Sequence, residues 1–333
     1  MEFHTPVLLK EVLEYFAPAP GEVFVDCTLG GAGHALPVAK KIAVGWPNKR
    51  GALVGIDLDG ESLKTAKDVF DIARSEGELP EDFPVHLVRD NYKNIAKILR
   101  ELGISRPNGI LADIGLSSFD LNLSGRGFSF QKDEPLDMRF NGDGLDDGAK
   151  RGRKIFNAQF ILETYTEKEL AEIFSRYGEE NFSPQIARAI LKFRQTGKIE
   201  STKQFFSIIE SALPPRARFR AADSARRIFQ ALRIEVNGEL ENLKAFLPQA
   251  FAALSPGGRL GVISFHSLED RMVKEFFREK AKGCIYPPDF PKCACGRNPE
   301  GKILTKKPLV PSAEEIESNP RSRPSKLRII QKI

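Results

Sequence analysis

Four short apolar runs, three of them ending in aspartate, set the tightest limit on what this chain can fold into. They occupy residues 22–26, 52–57, 84–88 and 109–113, and Asp26, Asp57 and Asp113 are the terminal acids. Runs of this length without alternation suit strands buried on both faces, as in a parallel sheet. Between the second and third runs, Leu63, Ala66, Val69, Phe70 and Ala73 recur at helical spacing. Strand and helix alternating at this pitch predict a doubly wound α/β fold.

The pattern then breaks. Residues 117–141 are rich in Gly, Ser and Asp and read as a loop, and 157–213 read as helices alone. Thr166 with Glu169, and Ser201 with Gln204, have capping-box spacing. Ser183-Pro184 predicts an N-cap followed by proline at the first helical position. The α/β pattern resumes with a helix over 239–254, a turn at Pro256-Gly257-Gly258 and a fifth strand over 259–265. The last two strands are expected over 302–310 and 326–331. The expected organisation is a core built from 1–120 and 222–333, interrupted by a loop and helical insertion over 121–221.

Residues 26–34 (DCTLGGAGH) follow the first strand and are expected to open a helix. Glycines there let the backbone come close to a ligand, and a helix start offers N–H groups. Asp57, at the end of the second strand, can accept from ribose hydroxyls, and Asp113 ends the fourth at the edge where such sheets bind ligands. The turn alone reads equally as a plain strand-to-helix connection. Gly31-Ala-Gly33 is followed by His34, Ala35 and Leu36, so the third glycine of a dinucleotide fingerprint is absent. With the two strand-end acids the reading favours a nucleoside cofactor that has no pyrophosphate to cradle.

These residues open a series of blocks that closely resembles the bacterial 16S ribosomal RNA (cytosine-N4) methyltransferase family, also called the MraW family. The blocks lie at 4–11, 26–34, 113–118, 126–130, 135–139, 177–180, 227–234, 263–271 and 319–323, which span nearly the whole chain. The resemblance implies a class I S-adenosylmethionine-dependent methyltransferase, with a Rossmann-like, seven-stranded, mostly parallel sheet and a helical insertion. It implies S-adenosyl-L-methionine as cofactor, contacted by Gly31, Ala32, Gly33, His34, Asp57, Tyr92 and Asp113. It also implies that the substrate is a cytidine N4 amine of 16S rRNA near the decoding centre, in the assembled small subunit. Where the family has Pro-Gln after Ser117-Ser118, this chain has Phe119-Asp120. An ionised Asp120 in the cofactor-binding place of that Gln accepts hydrogen bonds but donates none.

Transfer to cytosine N4 needs its delocalised lone pair localised and one proton removed, work for a carboxylate. Asp113 and Asp137 are the catalytic candidates, and Asp137 reads equally as a loop acid paired with Arg139. No cysteine follows a proline, as the nucleophile of cytosine C5 methylation usually does, which fits attack through an exocyclic nitrogen. His266, Ser267 and Glu269 lie too close in sequence to converge as a hydrolytic triad. His4 reads either as an ordered residue near the pocket or as a surface histidine.

The net charge is +5, a mild basic excess that permits a nucleic-acid partner. Its distribution says more. Arg216, Arg218, Arg220, Arg227 and Arg233, with Arg226, crowd one stretch where Asp223 is the only acid and Phe219 and Phe229 interleave. Arginines and aromatics together suit RNA phosphates and splayed bases. The competing reading is a solvated charged face, with Phe229 buried. With that stretch, the insertion is expected to recognise RNA. Arg321, Arg323, Lys326 and Arg328 form a second basic cluster. Four cysteines in a chain of this length are no disulfide scaffold. Cys284, Cys293 and Cys295 make three thiols where a zinc site wants four ligands, so no metal is expected. The first residues lack a signal-peptide pattern and no apolar run spans a bilayer. A cytoplasmic protein, monomer or homodimer, is the expectation.

Overall fold

The computed structural model describes residues 6–115, 125–140, 156–283 and 298–333. His4, Asp120, Cys284, Cys293 and Cys295 lie outside them. The chain forms two compact units, Met1–Gly115 with Asn242–Ile333, and Leu116–Glu241.

The first unit holds one seven-stranded sheet. Its strands are β1 (Val23–Asp26), β2 (Ala52–Asp57), β3 (Val85–Arg89), β4 (Gly109–Asp113), β5 (Arg259–Ser264), β6 (Gly301–Ile303) and β7 (Lys326–Lys332). Their order is β3-β2-β1-β4-β5-β7-β6. The first five pair in parallel, and β7 runs antiparallel between β5 and β6. This is the seven-stranded, mostly parallel sheet that the resemblance implies.

Successive residues of each strand enter opposite apolar layers, which is why the runs read as continuous. Phe24, Leu53, Leu111 and Ile329 pack with α1 (Leu9–Phe16), α2 (Ala35–Ile42) and α3 (Gly60–Ser75), through Phe16, Ile42 and Phe70. Val25, Val54, Ile110 and Ile330 pack with α4 (Ile95–Glu101), through Ile98 and Leu99. Two helices numbered below complete that layer. Each such side chain, fully buried, contributes about 1.5–3 kcal/mol.

The second unit contains α5 (Ala158–Thr164), α6 (Glu167–Arg176), α7 (Ser183–Arg194), α8 (Thr202–Ala212) and α9 (Ala221–Asn237) among its described residues. Thr166 and Glu169 close the expected capping box at the start of α6. Ser201 caps Gln204 N–H, but the Gln204 side chain turns to Glu200 N–H, so the box is only half made. Ser183 is not an N-cap: it is the first helical residue, and its hydroxyl donates to the Glu180 carbonyl. The Glu180 carboxylate already accepts from Phe182 N–H at 2.9 Å and shapes that turn.

Helix α9, which the sequence reading assigns to the core, belongs to the second unit, where it packs against α5, α6 and α8. Phe229 is buried there against Phe205 and Phe130. The chain re-enters the first unit within α10 (Glu239–Ala253), followed by α11 (Ser267–Ala281) and α12 (Ala313–Ser318). Phe246 of α10 and Phe277 of α11 fill the second apolar layer. Strand β6 is shorter than expected. It ends at Ile303, and Leu309 makes only an isolated bridge to Leu327, past Pro308, which has no N–H to offer a ladder.

Candidate functional site

The site in the first unit is built from the carboxyl ends of β1, β2, β4 and β5. After Asp26 the chain turns back under the neighbouring strands. Cys27 N–H donates to Leu111 O at 2.8 Å, and Leu29 N–H to Ile56 O at 2.9 Å. The Leu29 side chain fits only because residue 55 has no Cβ: one built there would stand 2.6 Å from Leu29 Cδ2. Gly30 (φ 51°) and Ala32 (φ 63°) both sit in the left-handed region. For Ala32 that conformation is strained, and it is held by its N–H donating to Leu29 O at 2.9 Å.

The strand-end acids organise this turn. Gly30 N–H donates to Asp57 Oδ2 at 2.8 Å, and Asp59 N–H donates to Asp57 Oδ1 at 2.9 Å. Asp113 N–H donates to the Thr28 hydroxyl at 2.7 Å, tying the glycine turn to the end of β4. The structure thus brings Gly31, Ala32, Gly33, Asp57 and Asp113 to one sheet edge. His34 follows at the start of α2, with Nε2 2.8 Å from Val7 O, so its imidazole is held against the N-terminal segment. Tyr92 begins the short 3-10 turn Tyr92–Asn94, its ring standing edge-on to Phe246 with centroids 5.1 Å apart.

Sequence reasoning passed over Asp26. It is 1% exposed; Oδ1 accepts from Thr28 N–H at 3.1 Å, and Oδ2 has no partner among the described residues. Asp113 Oδ1 is also buried without a partner among the described residues. Burial pushes the Asp26 carboxyl up to about 7, against the Thr28 bond and with help from the Asp57 charge. Burial first, then the Asp26 charge, push Asp113 up to about 7 as well. Two such groups share their titration. The available signal was three strand-end acids converging on one edge, of which only two were read as functional.

At the end of β5, Glu269 is buried and accepts from Phe265 N–H at 2.9 Å and His266 N–H at 3.3 Å. His266 Nε2 lies 3.0 Å from Glu269 Oε1. Ser267 is the first residue of α11. His266 and Glu269 cap the helix start.

In the second unit, Asp137 is gripped by Arg139: Nε to Oδ1 is 2.6 Å and Nη2 to Oδ2 is 2.8 Å. This is the loop-acid pairing that the sequence left open. The loop is pinned to the end of α9, since Asn237 donates to Met138 O at 2.8 Å and accepts from Phe140 N–H at 2.9 Å.

Of the arginines, Arg227 binds Glu180 Oε2 at 2.5 Å, where the carboxylate is fully buried. Arg233 binds Glu239 through two bonds of 2.8 and 2.9 Å. Both guanidinium groups are therefore committed to carboxylates of the second unit, although the Arg227 side chain stays 33% exposed. Arg328 is likewise forked onto Asp270, at 2.6 and 3.1 Å. Arg216, Arg218 and Arg220 are exposed.

Comparison with known proteins shows the family of the chain. Residues 1–333 match the model of the MraW methylase family. A protein of Heliobacterium modesticaldum named ribosomal RNA small subunit methyltransferase H is 45% identical over 331 residues, covering 99% of this chain and 98% of that one. Proteins of the same name from Carboxydothermus hydrogenoformans and Clostridium botulinum are 44% and 43% identical, each over 334 residues. They cover all of this chain and 99% and 100% of theirs.

Proposed function

The chain belongs to the MraW methylase family, and on that premise we propose that it methylates the N4 amine of a cytidine in 16S ribosomal RNA. The target lies near the decoding centre of the small subunit, and the methyl donor is S-adenosylmethionine. No helix among the described residues is long and apolar enough to cross a membrane, and the ribosome-rich cytoplasm is the compartment this function requires.

The observation that carries the reading is the pair of orphaned buried oxygens, Asp26 Oδ2 and Asp113 Oδ1, beside a strained glycine turn. Burying carboxyl oxygens without partners is costly, and a cationic ligand with hydroxyl and amine donors is what they fit. Gly31, Ala32, Gly33 and His34 would hold the cofactor through the turn. Asp57 would take ribose hydroxyls, Tyr92 would stand against the adenine, and Asp120 keeps the acceptor role its sequence position implies. When bound, the cofactor supplies a methyl group on a sulfonium cation.

The chain's own residues do the rest. Asp113 accepts a hydrogen bond from the cytidine amine, which localises the nitrogen lone pair, and takes the proton released when the N–C bond forms. A carboxyl raised to about 7 can hold that proton at neutral pH. Positioning supplies the remaining acceleration, because the displacement is direct and needs no covalent enzyme intermediate. Asp137, gripped by Arg139, orders its loop; Arg216, Arg218 and Arg220 provide the phosphate contacts of an RNA-recognising second unit.

The test is transfer from methyl-labelled adenosylmethionine to small subunits lacking the modification, followed by digestion to nucleosides. Label in N4-methylcytidine is expected. Label in another nucleoside, or none, refutes the assignment.

A further inference from the structure

Between α8 and α9 the chain makes a short 3-10 turn, Pro215–Arg220. Its inward side is Leu213, Ala217 and Ala221, all buried. Its outward side is Arg216, Arg218, Phe219 and Arg220, all exposed. Phe219 is 85% exposed, and among the described residues it is the only aromatic on the exposed surface. The turn does not need it, since Ala217 is the anchor. Arg216 and Arg220 have no charged partner among the described residues, and Arg218 reaches only the Leu213 carbonyl, at 3.4 Å. The nearest acid in sequence, Asp223, is already paired with Arg226.

A bare ring forgoes the burial it would gain in a core, and three uncompensated cations on one turn repel each other. A polyanion carrying flat apolar faces relieves both at once. Pro214 and Pro215 restrict the backbone, and Ala217 N–H closes on Pro214 O at 2.7 Å. The ring is therefore presented on a rigid support, with little ordering left to do on binding.

We propose that Phe219 is a stacking platform for one unpaired RNA base, with Arg216, Arg218 and Arg220 holding the phosphates on either side. This rests on the reading of the chain as a ribosomal RNA methylase and deepens it: the second unit recognises a single-stranded stretch of the substrate. A duplex hides its base faces, so the ring discriminates between the two forms while the arginines alone do not.

The test uses the full chain, a short unpaired RNA oligonucleotide and a blunt duplex of the same sequence, with affinity read by fluorescence anisotropy. Phe219→Ala is expected to weaken single-strand binding by about 5- to 150-fold, the range of one lost base–aromatic stack. Duplex affinity, the salt dependence and adenosylmethionine binding stay at parent values, and Phe219→Trp restores the single-strand affinity. Unchanged single-strand binding overturns the proposal, and so does an equal loss on strand and duplex. A variant that binds the free strand normally but loses the assembled subunit makes Phe219 a protein contact, which also overturns it. Methyl transfer by the parent protein is scored separately. If the parent transfers and Phe219→Ala binds as the parent does, only the stacking fails. If the parent transfers nothing, the methylase reading fails, and the oligonucleotide result still decides the stacking.

Discussion

Replacing Asp26 by Asn should stabilise the protein, and by more as the pH rises. The carboxyl is 1% exposed, one of its oxygens has no partner among the described residues, and burial lifts it from 3.8 to about 7. A carboxyl that holds its proton more tightly folded than unfolded makes stability greatest below about pH 3.8. That stability is lost as the pH rises, until the folded group ionises near 7, and above that the loss is constant. A shift of about three units, at 1.36 kcal/mol each, sets an upper limit of about 4 kcal/mol lost at high pH. At about pH 5.5 roughly half of that penalty is in force, so the advantage of the variant should grow by about 2 kcal/mol between about pH 5.5 and about pH 8.5. Asn keeps the acceptor for Thr28 N–H and replaces the ionisable oxygen with a neutral donor. Urea denaturation followed by Trp46 fluorescence reads the right unit, because the chain has one tryptophan and it lies in the unit that holds Asp26. An advantage that is the same at both pH values, or a variant less stable than the parent at the higher one, would falsify the reasoning.

Asp113→Asn keeps the shape but removes the proton acceptor. Methyl transfer should fall about 10²- to 10⁴-fold in single-turnover assays, and near-parent rates would exclude Asp113 as the base. Adenosylmethionine, a cation, should bind more tightly as the pH rises through about 7, where Asp26 and Asp113 ionise. Its neutral demethylated product should not, and calorimetric titration of both would expose a matching slope as a refutation. Arg227→Met leaves the buried Glu180 carboxylate uncompensated and should cost about 3–5 kcal/mol, most of it recovered with Glu180→Gln. Parent-like stability by circular dichroism, with weakened RNA binding, would return Arg227 to the RNA face. Removing Arg216, Arg218 and Arg220 together should lower the salt slope of single-stranded RNA binding by about 2, with the largest affinity loss at low salt. An unaltered slope takes them off the phosphates.

The sheet was legible in the sequence because burial on both faces leaves no alternation to misread: residues 52–57 and 109–113 are strands to the residue. Strand β6 was less so, because the strand-like signal over 302–310 continues past Ile303, where the ladder ends. Asp57 and Asp113 could be read as ligand groups from their strand-end places. Asp26 stands at a strand end as they do, and the oxygen that folding leaves without a partner among the described residues, a feature it shares with Asp113, leaves no mark in the sequence. The arginine cluster shows the limit most clearly. Charge density along the chain is visible, but Glu180, which claims Arg227, lies 47 residues away. Only the helix packing of the second unit separates the arginines that are paired with a carboxylate from those that are not. Phe219 and Phe229 carry the same signal in sequence, and one is 85% exposed while the other is 4% exposed.

Strands β4 and β5 are parallel neighbours in the middle of the sheet, yet the chain between Asp113 and Arg259 runs to about 145 residues and contains the whole second unit. At about 5–20 residues per second, a ribosome needs roughly 7–30 s to make that stretch. For that time β1 to β4 can assemble while β4, an apolar strand built to be covered on both sides, has an open edge. Biosynthesis therefore leaves a sticky half-sheet waiting for its partner, so the newly made chain should depend on holding chaperones more than its finished form would suggest. Shortening the intervening segment should relieve that dependence even if it ends recognition of the substrate.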